Sequence, residues 1–404
     1  MSGTVPQIRE ILASARLERV RYAIRDLAVL ADDLTRQGIE ILPLNIGDPV
    51  LFDFWTPPHL IEAATKAMRD GHNGYAPSLG VGVAIEAIRA KAEEEGLRNI
   101  QSIFVTEGVS EAVDICLTAL VGPGDNVLTP SPEYPLYSAL LAKLGVQTNS
   151  YRLAEASNWE PDIEHMASRV TKNTRGLVLI NPNNPTGAVY SRSTLEAIVE
   201  IARRHNLVIF TDEIYDKLLL EPEPHIPIAS LAPDLPVVTF NGLSKACLAP
   251  GWRVGWGIVS GDAAGVKPYV EGIYKLLRAR LCANHPLQYA IPDALQGSQD
   301  FRVEVLRKLR SRRDLVTEWA KNTPGVSCVS PRAAFYAFPR LDMGGSDESF
   351  VKGLLKEKHV LVVHGSGFGQ PPDSGHIRIV FLPKEDILRE ALSRIAAFLW
   401  ERSP

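Results

Sequence analysis

The apolar positions of this 404-residue chain change their spacing twice along its length. Over residues 7–37, Ile24, Leu27, Ala28, Ala31 and Leu34 fall at helical intervals, and Gly38 supplies a stop. Residues 41–49 then read as a short strand breaking into a glycine–proline loop. From about residue 100, short β-rich runs alternate with helical stretches: 103–106 then 110–121, 126–129 then 133–144, and 176–180 then 193–205. Three further strands are expected at 207–211, 236–240 and 253–259. These runs are continuously apolar rather than alternating, which marks a sheet buried on both faces. A helical region follows from 265 to 321, and its basic run Arg307-Lys308-Leu309-Arg310-Ser311-Arg312-Arg313 reads as a solvated helix face. Short strands return at 327–329, 334–338, 360–363 and 377–381 before a final helix. The pattern predicts an α/β chain: a mostly parallel sheet in a large domain, plus a smaller α+β domain built from both termini. The expected boundaries are 1–48, 49–300 and 301–404.

Composition narrows the class without naming a chemistry. Hydrophobic residues make up 45 % and charged residues 22 %, the balance of an ordinary globular protein rather than a disordered one. A formal charge of −4 leaves no basic excess to drive nucleic-acid binding. Cys116, Cys247, Cys282 and Cys328 are scattered, with no C-x-x-C pair, which points to reduced thiols in a cytoplasm and away from disulfides or a zinc site. His359 and His364 lack the helical spacing of metal ligands, and no run is long enough to span a bilayer.

The chemistry lies just past the strands, where open parallel sheets bind ligands. After 103–106 comes Glu107-Gly108-Val109-Ser110-Glu111, a glycine turn into a helix N-terminus whose free amides can cradle a phosphate. After 176–180 comes Asn181-Pro182-Asn183-Asn184-Pro185-Thr186-Gly187, rich in amides; after 207–211, Asp212-Glu213-Ile214-Tyr215. After 236–240 come Ser244 and Lys245, with Arg253 close behind. Taken singly these residues are bland: Asp212 suits a helix N-cap and most lysines are solvated. Together, a phosphate nest, an amide, a carboxylate with a phenol three residues on, and a lysine have pyridoxal 5'-phosphate as their common solution. The lysine can hold the aldehyde as an imine while the carboxylate keeps the ring nitrogen protonated. Arg378, on the apolar run around His376-Ile377-Arg378-Ile379, is costly to bury unless a carboxylate pairs with it.

Asn181–Gly187, Asp212–Tyr215, Gly242-Leu243-Ser244-Lys245 and Gly251-Trp252-Arg253-Val254-Gly255-Trp256 resemble the fold-type I, class I/II aminotransferases. Residues 44–49 and 182–217, Tyr22-Ala23-Ile24-Arg25 and Arg280-Leu281-Cys282-Ala283-Asn284 are similar to the bacterial and archaeal alanine (glutamate–pyruvate) members. The resemblance implies that Lys245 carries the cofactor and moves the proton at the substrate Cα, that Asp212 pairs with the ring nitrogen, and that Tyr215 and Asn184 contact the ring oxygen. It assigns Tyr134 to the ring face, Gly108, Val109, Ser110 and Arg253 to the phosphate, with Ser244 as an adjacent hydroxyl, and Gly47, Asn184 and Arg378 to the substrate. Arg378 is expected to grip the α-carboxylate bidentately. Tyr75 is expected to reach the phosphate of a neighbouring subunit, which implies a homodimer with shared sites. Two positions depart from the family pattern: Gly242 stands where some relatives place a hydroxyl, and His364 where many have proline.

The implied reaction passes an amino group from an amino acid to a 2-oxo acid in two half-reactions, with alanine and 2-oxoglutarate giving pyruvate and glutamate. Glutamate has a distal carboxylate and alanine has none, so a fixed buried cation would sit unpaired half the time. A mobile Arg25, with Tyr22 beside it, is the expected lid; Arg280 is a second candidate. An aspartate or broad aromatic/branched-chain aminotransferase, or a C–S lyase on the same cofactor, would share the core of the site. A transcription regulator would need a basic N-terminal DNA-binding module, which the residues before Leu44 do not provide.

Overall fold

The apolar runs pair into an eight-stranded sheet in the computed structural model, which describes residues 11–20 and 23–402. Its strands are β1 (Ile100–Glu107), β2 (Asn126–Ser131), β3 (Gln147–Ala154), β4 (Glu160–Pro161), β5 (Thr174–Ile180), β6 (Val208–Asp212), β7 (Val237–Gly242) and β8 (Val254–Ser260). Their spatial order is β1-β8-β7-β6-β5-β2-β3-β4. The run from β7 to β3 is parallel, whereas β8 is antiparallel to both β1 and β7, and β4 to β3.

Side chains alternate across a strand, so a strand covered on both faces needs apolar residues at every position. Leu177, Leu179, Ile209 and Val237 enter one apolar cluster; Val178, Ile180, Phe210, Val238 and Phe240 enter a second on the other side of the sheet. β3 lies next to the sheet edge and has one covered face. Asn149, Tyr151 and Leu153 point inward while Thr148, Ser150 and Arg152 are exposed, and that polar alternation leaves no continuous apolar run in the sequence. The strand expected at 253–259 begins one residue later, because Arg253 takes a left-handed backbone with φ 53°.

Helices α2 (Val109–Leu120) and α3 (Leu136–Leu144) begin at the site, α1 (Ala23–Arg36) packs on the smaller unit, and α4 (Phe301–Asn322) carries the basic run. The basic run on α4 is a solvated face only in part: Arg307 and Arg310 are exposed, but their neighbours turn inward. Arg312 is 3 % exposed, donates to both carboxylate oxygens of Asp53 at 2.7 and 2.9 Å and packs on the Phe54 ring. Arg313 pairs with Glu221 at 2.6 Å, and Arg310 donates to the Leu220 carbonyl. Their partners lie far away in sequence, which is why charge spacing alone misplaced them.

Both chain ends build the smaller unit. The short strand Leu42–Pro43 pairs in parallel with Val360–Leu361. Beside it β9 (Tyr336–Ala337), β10 (Val363–His364) and β11 (Ile377–Val380) form an antiparallel sheet ordered β9-β11-β10.

Candidate active site

Register brings the functional strand ends level. Ile180 stands opposite Asp212 and Asp212 opposite Phe240, so β5, β6 and β7 finish side by side. They open onto a cavity of about 670 Å³ that reaches the small unit at Tyr336 and Arg378. Gly47, Val109, Ser110, Tyr134, Asn184, Asp212, Tyr215, Ser244, Lys245, Arg253 and Arg378 all line it, and Gly108 adjoins it at the head of α2.

Lys245 donates from Nζ to the Gly47 carbonyl at 2.7 Å. Burial pushes its ammonium from 10.5 down to about 8; Arg378 and Arg253 add to that, while Asp48 and Asp212 oppose it. Asp212 ends β6 at 4 % exposure, where burial raises its carboxyl from 3.8 to about 6. Its oxygens accept from the Ile214 amide and the Tyr137 hydroxyl, each at 3.3 Å. Among the described residues no cation stands within ion-pair distance of it.

Arg378, 1 % exposed on β11, donates to Asn184 Oδ1 at 3.0 Å and to the Asn45 carbonyl. Its guanidinium packs against the rings of Tyr336 and Phe368 at 4.6 and 4.7 Å. Tyr215 Oη lies 2.9 Å from Tyr336 Oη.

The phosphate cradle closes only around glycines. Gly108 caps α2 with φ 78° and no side chain to occupy the helix amides. A Cβ there would meet the Arg253 guanidinium at 2.5 Å, and one on Gly255 would meet the Val109 nitrogen at 2.4 Å. The donor set therefore fits the cofactor that the resemblance implies. Free amides and an arginine would hold a phosphate, a buried carboxylate without a cation would meet a ring N–H, and a desolvated amine would meet an aldehyde.

Other expected positions fare differently. Tyr75 is 81 % exposed and does not line the cavity of its own protomer. Tyr22 and the side chain of Arg25 lie outside the described residues. Arg280 is committed elsewhere: it pairs with Glu111 at 3.1 Å and donates to the Ser78 and Val105 carbonyls, so it is not the distal cation. Gly242 cannot carry a hydroxyl side chain, since a Cβ would stand 2.6 Å from the Val254 carbonyl oxygen. His364 accepts the Gly367 amide at 3.1 Å and so caps its own turn. Asp48, Tyr137 and Tyr336 belong to the site and were not singled out from sequence. Tyr137 follows Tyr134 by three residues, a weak signal; Tyr336 sits in an apolar run that reads as core.

The model of the family described as aminotransferase class I and II matches residues 39–395. Glutamate-pyruvate aminotransferase AlaA of Escherichia coli is 41% identical over 396 residues, covering 96% of this chain and 97% of its own. Alanine aminotransferase of Mycobacterium tuberculosis is 41% identical over 402 residues, covering 97% and 93%. The solved alanine aminotransferase from Pyrococcus furiosus shares 40% identity and a TM-score of 0.93, over 97% of this chain and 100% of that one. This chain belongs to the class I and II aminotransferases, enzymes that move an amino group between an amino acid and a 2-oxo acid.

Proposed function

We propose that the chain binds pyridoxal 5'-phosphate and exchanges L-alanine and 2-oxoglutarate for pyruvate and L-glutamate, as a cytoplasmic homodimer with shared active sites. One observation carries the cofactor reading: a desolvated lysine and a buried carboxylate without a cation share one cavity with Arg378. The alanine specificity is supported by the names of the similar proteins.

When bound, the cofactor supplies an electron sink for the charge that develops at the substrate Cα. Arg378 and Asn184 hold the substrate carboxylate, and the guanidinium's planar fork fixes its orientation. Lys245 Nζ, whose ammonium burial brings down to about 8 in the cofactor-free chain, would move the proton from the substrate Cα to C4′ of the cofactor in one half-reaction and from C4′ back to Cα in the other. Asp212 would keep the proton on the ring nitrogen, Tyr215 would donate to the ring oxygen, and Tyr134 would cover the ring face. The amides at Gly108–Ser110, with Arg253 and Ser244, hold the phosphate.

Tyr75, Trp55 and Leu51 are exposed at 81, 73 and 69 %, apolar surface of the kind a second subunit covers, which supports the dimer reading. Tyr75 is then the residue that subunit exchanges. Four free cysteines support a reducing compartment. Arg25, with Tyr22, is assigned to the distal carboxylate as a mobile lid. Its helix α1 packs against β10 and the turn that carries Phe368, the ring that touches Arg378.

L-Alanine added to the purified holoenzyme is expected to convert the visible band of the lysine-bound cofactor to the amine form. Conversion by aspartate but not alanine would move the substrate assignment and leave the family standing. Arg25→Ala is expected to raise KM for glutamate about fivefold or more, with little change for alanine. An equal rise for both would remove the lid.

A further inference from the structure

Tyr336 has no role in the assignment above, yet it touches both halves of the site. It lies on β9 at 2 % exposure. β9 pairs with β11 so that Tyr336 stands opposite Val380, which makes Arg378 its diagonal neighbour. Its ring centroid lies 4.6 Å from the Arg378 guanidinium carbon, and its hydroxyl 2.9 Å from that of Tyr215. A Cβ on Gly47 would stand 2.2 Å from that hydroxyl, so the loop that accepts the Lys245 hydrogen bond packs directly on it.

Two touching phenols share one hydrogen bond, and one of them must be the donor. If Tyr215 gives its proton to the cofactor's ring oxygen, its own oxygen is left to accept, and Tyr336 donates. An accepting hydroxyl is polarised into a stronger donor. The aromatic face meanwhile stacks a planar guanidinium and restricts its rotation. The charged and titratable groups facing the two phenols are Arg378 from β11, Asp212 from the end of β6 and Tyr134 ahead of α3, with Lys245 and Asp48 on the same cavity.

We propose that Tyr336 is a positioning residue for both ends of the substrate site. Its ring holds Arg378 in plane for the α-carboxylate, and its hydroxyl donates to Tyr215 and strengthens that phenol's hydrogen bond to the cofactor. This rests on the placement of Tyr215 against the ring oxygen given above. The small unit thereby couples carboxylate binding to the cofactor through one side chain.

The test uses holoenzyme with Tyr336→Phe, Tyr215→Phe, the double variant and Tyr336→Leu. A weaker donor at the ring oxygen lets the lysine-bound cofactor keep its proton to higher pH. Tyr336→Phe is therefore expected to raise the pH midpoint of the visible band by about 0.5 or more and to lower kcat about fivefold, with KM for alanine within about twofold. On the Tyr215→Phe background the same change should move the midpoint no further. Tyr336→Leu, which also removes the stacking ring, should weaken binding of propionate about tenfold; Tyr336→Phe should leave it within about twofold. An unmoved midpoint in Tyr336→Phe, or an equal shift with and without Tyr215, overturns the hydroxyl role. Unchanged propionate binding in Tyr336→Leu overturns the ring role. A wild-type protein that shows no visible band with added pyridoxal phosphate overturns the cofactor reading itself.

Discussion

Arg312 on α4 and Lys245 after β7 are both taken out of water by the same chain, which treats their charges in opposite ways. Arg312 is surrounded by answers: both oxygens of Asp53, the Leu382 carbonyl and the face of Phe54. Burial alone would raise the Asp53 carboxyl, but the hydrogen bonds from Arg312 and Lys308 outweigh it and hold that carboxyl below its ordinary value. Lys245 has one neutral carbonyl as its hydrogen-bond acceptor, and Asp212 has only a hydroxyl and an amide. Lys245 titrates near 8 and Asp212 near 6, each displaced toward its neutral form. A charge that serves the fold is neutralised within the fold. A charge that serves a ligand is left to be neutralised by that ligand.

Three substitutions can break that contrast. The largest effect is expected from Lys245→Met, which should lower turnover by about a thousandfold or more. The same change should make the cofactor-free protein more stable at pH 7, by about 2 kcal/mol in denaturant titrations. The sign follows from a folded-state pKa below the unfolded one: the cost of the ammonium is present below pH 8 and fades as pH rises from 8 through 10.5. A less stable Met variant would mean that Lys245 is a structural cation like Arg312.

Arg312→Met should do the reverse, costing about 3 kcal/mol of stability because Asp53 is left without its main partner. Substrate KM should stay within about twofold, since no ligand sees this pair. A selective loss of substrate affinity in stable protein would place Arg312 in the site.

The smallest effect is expected from Asp212→Asn. Its folded pKa is raised, so its cost appears as pH climbs from 3.8 through 6 and is absent below that window. The variant should therefore gain about 1–2 kcal/mol in cofactor-free protein at pH 8 and nothing at pH 3.5, while binding pyridoxal phosphate more weakly. A gain at both pH values would point to packing rather than charge.

The strands of the central sheet were legible because burial on both faces forces a local signature, an unbroken apolar run. β3 was not legible: one open face let Thr148, Ser150 and Arg152 in. The strand-end chemistry was legible for a related reason. Asp212 and Lys245 each sit within five residues of a strand end, so finding the strands located them. The basic run on α4 misled because its partners Asp53 and Glu221 come from elsewhere in the chain. Arg280 misled in the same way, its guanidinium being held by Glu111 and two carbonyls.

By itself the sequence determined which side chains the sheet presents at its carboxyl edge, because strand period and turn residues act over a few positions. Only the tertiary structure decided which charges are satisfied and which are left poised. Those depend on contacts such as Arg312 with Asp53, 259 residues apart, and Tyr215 with Tyr336, 121 apart. Hydration, dielectric and hydrogen-bond partners belong to a place in space, and no local pattern of residues encodes them.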